Sequence, residues 1–341
     1  MSTSPRFNRR DLLKSIGFTA AGLALSPFLG QSLFAADMPT KKILFFTKSS
    51  GFQHSVIKRP DADPTKLAYA EQILTDLGAK NGFEVTCSKD GSLFTPEYLA
   101  KFDSLVFYTT GDLTKDSDKY SMKAGPDGKK NVPDQVISRE PGMGDAGKKA
   151  FLDAVKNGKG FMALHSGSDT FHSHGKPTKE LLRDLNDKGE DDFDPYIQML
   201  GGEFIIHGNQ QKSTLHCVDE KFPGAVGLKD ASIHEEWYSL KNFAPDLHVI
   251  LMQGTEGMTG PMYQRKSYPE TWARMHGKGR VFFSSLGHRE DVWQMPAYQG
   301  LLIGGLSWIT GRAEADITPN IKEVAPGADP KPFVPDPKKA K

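Results

Sequence analysis

The sequence predicts an α/β protein, a single domain on a doubly wound, mostly parallel sheet whose second half is richer in β-structure. Three observations carry this. From residue 42 to residue 164, short apolar runs alternate with segments of helical periodicity. The runs are apolar throughout rather than alternating, as strands covered on both faces are. The residues directly after them are polar and rich in histidine and aspartate, which fits a ligand rim beyond the carboxyl ends of parallel strands.

In chain order, residues 1–36 read as a cleavable export leader and stand apart from the fold. Arg6, Arg9, Arg10 and Lys14 supply its basic zone, Ile16 to Phe34 is uncharged and broken by Gly and Pro, and Ala35-Ala36 offers small residues for a peptidase. The run Arg9-Arg10-Asp11-Leu12-Leu13-Lys14 is similar to a twin-arginine signal, which implies a periplasmic or secreted protein with no stable membrane span after processing.

Lys42 to Thr47 is the first strand. A helix is expected from Asp63-Pro64, with Leu67, Ala70, Leu74 and Leu77 on one face, followed by a strand at Phe83–Cys87. Ser104–Thr110 is the third strand, Gly147–Val155 a helix and Gly160–Leu164 the fourth strand. Residues 113–143 carry Lys, Asp, Gly and Pro without apolar period and read as a long surface loop.

Later strands fall at Glu203–Ile206, Ser213–Val218 and His248–Met252, then a hairpin pairs Thr271–Met275 with Arg280–Ser285 around His276-Gly277-Lys278-Gly279. Leu301–Ile309 closes the domain as an apolar helix. The domain thus spans 42–311, and the Pro- and Lys-rich residues 312–341 read as an extended tail.

Charge excludes some partners. The leader carries +3 of a chain total of +1, so the remainder is near −2, with no basic, aromatic-interleaved stretch suited to nucleic acid. A small molecule or glycan fits better, and monomer and homodimer both stay open. Cys87 and Cys217 are too few for a disulfide framework and lack zinc spacing; they read equally as a bridge or as two buried thiols.

The rim residues are specific. Strand one is followed by Lys48 to His54, strand three by Gly111-Asp112, strand four by His165-Ser166-Gly167-Ser168-Asp169, and the late strand by Gly287-His288-Arg289. The run from Leu164 to His174 holds three histidines, three serines and an aspartate in eleven residues. His54, His165, His172 and His288 are candidate ligands of a divalent metal such as zinc, with Asp112 or Asp169 nearby, although no spacing matches a known metal motif. Ser166 follows a strand end, but without a G-x-S-x-G pattern it makes a weak nucleophile candidate. Glu235 and Glu236 beside Trp237 and Tyr238 have the carboxylate-plus-aromatic composition of a sugar site. His216, His248 and His276 read as structural, while His207 and His234 fit either reading.

These stretches, with Gly201-Gly202-Glu203-Phe204 and Pro269-Glu270-Thr271-Trp272-Ala273-Arg274, make residues 42–311 resemble the ThuA-like, trehalose-utilisation family. The resemblance implies a flavodoxin-like fold of the class I glutamine amidotransferase type. It also implies that His165 falls where an amidotransferase carries its nucleophilic cysteine and His288 where it carries the triad histidine, which argues against glutamine hydrolysis. The implied substrate is a carbohydrate or keto-sugar.

The expected function is therefore conversion of such a sugar by histidine acid/base or metal-assisted chemistry. His165, His288, Asp169 and Glu235 are the catalytic candidates, and Lys48, His54, Asp112, Ser166 and Trp237 the binding candidates. The alternative is a carbohydrate-binding protein without turnover, anchored on Trp237.

Overall fold

In the computed structural model, residues 39–61, 63–124, 131–171 and 194–328 are described. The leader reading and His172 lie outside them. The central feature is a nine-stranded sheet in the order β2-β1-β3-β6-β13-β12-β11-β8-β9. β1 (Lys41–Phe46), β2 (Phe83–Ser88), β3 (Ser104–Phe107), β6 (Gly160–Leu164) and β13 (Gly279–Ser284) pair in parallel. Numbered among themselves these five run 2-1-3-4-5, the flavodoxin-like order. β12 (Tyr268–His276), β11 (His248–Gln253), β8 (Gln211–Cys217) and β9 (Ser232–Glu235) continue the sheet antiparallel, which is the β-rich second half.

The apolar runs feed two cores because successive strand residues face opposite sides. Ile43, Phe45, Val106, Met162, Leu164 and Phe282 point into one core, covered by α1 (Tyr69–Lys80) and α6 (Pro296–Ile309). Leu44, Phe46, Leu105, Phe107, Phe161, Ala163 and Phe283 point into the other, covered by α3 (Gly144–Lys156) and α4 (Pro195–Leu200). Each fully buried Leu, Ile or Phe contributes roughly 1.5–3 kcal/mol of transfer free energy, so both faces of the sheet must stay covered. Short helices complete the set: α2 at Pro96–Leu99, α5 at Glu290–Trp293 and α7 at Ile321–Val324. No helix among the described residues is long and apolar enough to cross a membrane.

Three local expectations are corrected. The first helix begins at Tyr69 rather than at Asp63-Pro64. Asp63 Oδ1 is used in a turn, accepting from Thr65 N at 3.2 Å and from its hydroxyl, while the Glu71 carboxylate reaches back to the Ala68 N–H at 2.8 Å and caps the helix there.

The expected loop 113–143 contains a hairpin, β4 (Ser117–Ala124) against β5 (Asn131–Glu140). Two ion pairs link its strands, Lys123 with Asp134 at 2.6 Å and Arg139 with Asp118 at 2.6 Å.

The tail is also partly ordered. Asn320 pairs its side chain with both backbone groups of Val249, at 2.7 and 3.0 Å, and Ile321, Ala325 and Ala328 are buried against the second core. Both cysteines are free. Cys87 sits on β2 and Cys217 on β8, and burial pushes their thiols up to about 12 and about 11.

Candidate metal centre

Four chain segments deliver side chains to one point at the carboxyl end of the parallel strands. β6 ends at Leu164, and His165 follows in a left-handed conformation with φ +43° that opens the 3-10 turn His165–Asp169. A β-carbon-bearing residue held there costs about 1–2 kcal/mol. It is the kind of strained strand-to-helix turn on which α/β enzymes mount a nucleophile; here it presents an imidazole. His165 is fully buried, and its Nδ1 lies 2.7 Å from the Ser285 carbonyl oxygen. A carbonyl only accepts, so Nδ1 carries the proton and Nε2 turns a lone pair toward the cluster.

His288 follows β13 on a segment braced from all sides. Gly287 adopts φ +111°, and a β-carbon there would stand 2.6 Å from the Tyr298 hydroxyl, so only glycine fits. Tyr108 Oη and Trp293 Nε1 donate to the Gly287 carbonyl at 3.0 and 2.7 Å. Glu235 Oε2 accepts from the Gly287 and His288 N–H groups at 3.0 and 3.2 Å, and its Oε1 from Glu236 N at 2.7 Å. On the other side, Glu270 Oε1 accepts from the Ser284 and Ser285 hydroxyls at 3.1 and 2.9 Å, and its Oε2 accepts from Thr271.

His54 precedes a 3-10 turn whose Val56 and Ile57 are buried in the first core, which draws the imidazole inward. Its ring stands edge-to-face with those of His165 and His288, centroids 4.8 and 5.1 Å apart.

Glu236 closes the group from the connection between β9 and β10 (Tyr238–Lys241). Its Oε2 is 2.9 Å from His288 Nδ1, 3.6 Å from His165 Nε2 and 3.9 Å from His54 Nε2. The other oxygen is 3.3 Å from Nδ1 of the half-exposed His207.

Electrostatics follow from this packing. Burial drives the His165 imidazole down to about 3, against the pull of Glu236, and lowers His54 as well. Burial would raise Glu236, but the three imidazoles packed against it hold it far below the usual carboxylate range. His288 is raised because Glu236 outweighs its desolvation. The buried centre therefore holds the His54 and His165 imidazoles toward the neutral form, beside an anionic carboxylate.

That donor set fits a divalent transition metal. One nitrogen from each of the three histidines and one Glu236 oxygen lie within 4.8 Å of one another. For metal–ligand bonds of about 2.0–2.2 Å the edges of a tetrahedron are about 3.3–3.6 Å; the His165–His288 nitrogen pair is 3.3 Å apart and the Glu236 contacts run from 2.9 to 3.9 Å. The His165 Nδ1–H bond to a carbonyl is the outer contact that orients a ligating histidine. His54 Nδ1, Gln53 Nε2 and Ser166 Oγ, on residues forming or flanking the centre, are buried without a hydrogen-bond partner.

Several candidates from the sequence are not in this group. Lys48 is buried elsewhere: its ammonium donates to Ser117 Oγ and the Glu140 carbonyl, both at 2.7 Å, and ties together the two ends of the β4–β5 hairpin. Asp112 caps its own turn, accepting from Thr114 N at 3.0 Å and Oγ1 at 2.6 Å. Trp237 is fully buried in the first core with Nε1 donating to the Gln211 carbonyl at 2.8 Å, so its ring has no face for a sugar. Glu235 braces the His288 segment instead of facing the cluster, and burial raises it to about 7. Asp169 stays at the rim, where its charge acts on His54 and Tyr238.

Glu236 is the cluster residue that the sequence reading named only beside Glu235, as part of a sugar-type composition, and not among the metal or catalytic candidates. The signal was available: in β9, Ile233 and Glu235 are buried while Ser232 and His234 are exposed, and Glu236 is the first residue past the strand's end. His248, bonded to the Thr318 carbonyl at 2.7 Å and to Asp219 at 3.0 Å, is structural as expected.

The family model described as trehalose utilisation, ThuA, matches residues 136–309, just over half of the sequence. The chain belongs to the ThuA family. His165, Glu236 and His288 lie inside the matched span, and His54 comes from the part before it. Among solved structures, a ThuA-like protein from Bacteroides uniformis superposes with a TM-score of 0.54 at 16% identity, over 84% of this chain and 98% of its own. A second ThuA-like protein, from Parabacteroides merdae, has a TM-score of 0.48 at 16% identity over 82% and 95%. At these identities the likeness concerns the ThuA fold alone. No curated protein matches this ThuA chain in sequence.

Proposed function

We propose that this ThuA protein is a metal-dependent enzyme acting on a carbohydrate carbonyl, with His54, His165, His288 and Glu236 as ligands of one divalent ion. The observation that carries the reading is the convergence of three imidazole nitrogens and one carboxylate oxygen in a buried cluster. The family's association with trehalose utilisation supports a sugar as substrate. The bound ion supplies a Lewis acid that polarises a carbonyl oxygen. The protein's own residues then supply orientation and proton transfer. His207, 44% exposed in its side chain and 3.3 Å from Glu236 Oε1, is the acid/base group at the mouth, and Asp169 is the second rim carboxylate.

Glutamine hydrolysis has no support, because an imidazole occupies the strained turn and both thiols are held up in their pKa by burial. The non-catalytic alternative loses its anchor with Trp237 in the core. Residues 1–36 remain our proposal for a twin-arginine export leader, and the amino-terminal sequence of the protein recovered from the periplasm or medium tests it.

The test of function is elemental mass spectrometry on the purified protein, followed by solvent deuterium incorporation into keto-glucosides. Stoichiometric metal, with exchange that chelation abolishes, supports the reading. A well-folded protein that takes up no metal from zinc, manganese, iron or nickel would falsify it.

A further inference from the structure

Phe52 is 69% exposed. Among the described residues the other exposed large apolar side chains, Val218, Val226 and Met275, are less open and none is aromatic. Leaving a phenylalanine in water forgoes roughly 1.5–3 kcal/mol, and this one stands at the candidate centre: its ring meets that of His54 edge-to-face with centroids 5.0 Å apart.

The backbone beneath the ring is fixed. Ser50 N and Gly51 N donate to the Thr110 carbonyl at 2.9 and 3.3 Å, and the hydroxyl of buried Thr110 donates to the Phe52 carbonyl at 2.9 Å. A β-carbon on Gly51 would come within 3.2 Å of that hydroxyl, so the glycine permits the close approach. The ring is thus mounted on the end of β3. Two polar atoms beside it, Gln53 Nε2 and His54 Nδ1, are buried and have no partner within the protein.

We propose that Phe52 is the stacking platform for the apolar face of a pyranose ring whose polar edge reaches the cluster. A fixed aromatic surface next to a few unsatisfied polar groups is the composition of a sugar subsite: the C–H face of the ring covers the aromatic, and hydroxyls take the unpartnered positions. This assigns to Phe52 the role that Trp237 has in the sequence-based reading. It rests on the proposed carbohydrate function and extends it to substrate class, a pyranoside with one unhindered face.

The experiment titrates the metal-loaded protein with trehalose, methyl α-D-glucopyranoside and a keto form of each, by saturation-transfer NMR, while metal content is measured in parallel. Phe52→Ala is expected to keep its metal and its Tm and to lose affinity about tenfold or more, a change of about 1.4 kcal/mol; Phe52→Trp is expected to retain binding. Saturation transfer should fall on ring protons of one face. Wild-type affinity in Phe52→Ala, or no binding of any of the four sugars by the wild type, overturns the platform. Phe52-dependent sugar binding in a protein that takes up no metal would sink the metal reading and leave this one standing; a metal-loaded protein indifferent to Phe52 does the reverse.

Discussion

The Nδ1 of His165 sits 2.7 Å from the carbonyl oxygen of Ser285, and that contact decides which ring nitrogen is free. With the proton fixed on Nδ1 and burial lowering the imidazole to about 3, His165 is neutral across the physiological range in the metal-free protein. Long-range 1H–15N correlation spectra of chelator-treated protein should show one histidine as the Nδ1–H tautomer, unchanged from pH 8 to pH 5. An imidazole set that titrates entirely near pH 6.5 would contradict the geometry.

Removing ligands should separate metal content from folding. His165→Ala, His288→Ala and Glu236→Gln are each expected to lose stoichiometric metal while keeping native circular dichroism. Trp237→Phe should keep the metal, since Trp237 belongs to the core. Retention of metal by the Glu236→Gln variant would remove Glu236 from the ligand set.

Glu270 acts at one remove. Replacing it with Ala leaves the hydroxyls of Thr271, Ser284 and Ser285 without their acceptor, at about 1–3 kcal/mol for each group left unsatisfied. Because Ser285 carries the carbonyl that orients His165, metal affinity should also fall about 10–100-fold. A metal competition titration checks this. Loss of stability with unchanged affinity would make Glu270 a structural residue only.

Lys48 gives a contrasting case. Lys48→Met removes the donor to Ser117 Oγ and the Glu140 carbonyl, so limited proteolysis and amide exchange should report a loosened β4–β5 hairpin with metal content intact. Metal loss in this variant would return Lys48 to the site.

Acid sensitivity should trace in part to Glu71. Its side chain is buried, which alone would raise its pKa, but Arg59 at 2.8 and 3.1 Å, with Lys89, Thr47 and the Ala68 N–H, brings it below the ordinary carboxylate value. A carboxylate lowered in the folded state binds fewer protons there than in the unfolded chain, so it stabilises above the unfolded pKa of about 4.3, and this contribution disappears as pH falls through the folded value. Urea unfolding of Glu71→Gln should accordingly show a flatter stability profile below pH 5. Arg59→Met, which strands the buried charge, should cost about 3 kcal/mol at pH 7.

The sheet was legible because its parallel strands are buried on both faces, and an unbroken apolar run such as Ile43-Leu44-Phe45-Phe46 has few other uses. His54, His165 and His288 were legible through one rule, that ligands gather beyond strand ends. Glu236 and Glu235 differ by one position, and only the register of β9 and its exit tells which carboxylate faces the cluster. Trp237 and Lys48 misled for a shared reason: an indole or ammonium that finds one or two backbone or hydroxyl partners can be buried as structure, and sequence does not show those partners. The β4–β5 hairpin escaped because Lys, Asp, Gly and Pro dominate residues 113–143 and its register is irregular between Lys119 and Met122, so the alternation is broken.

The four donors of the centre come from positions 54, 165, 236 and 288, so they span most of the folded chain. An ion held by all of them would act as a cross-link closing three long loops at once, and its binding free energy would be available only to the complete fold. Heat or denaturant would then meet a protein whose resistance depends on free metal concentration, gaining about 2.7 kcal/mol when the ion stands at a hundred times its dissociation constant. The same dependence would make a chelator a denaturant, and metal supply part of what determines how long the molecule survives.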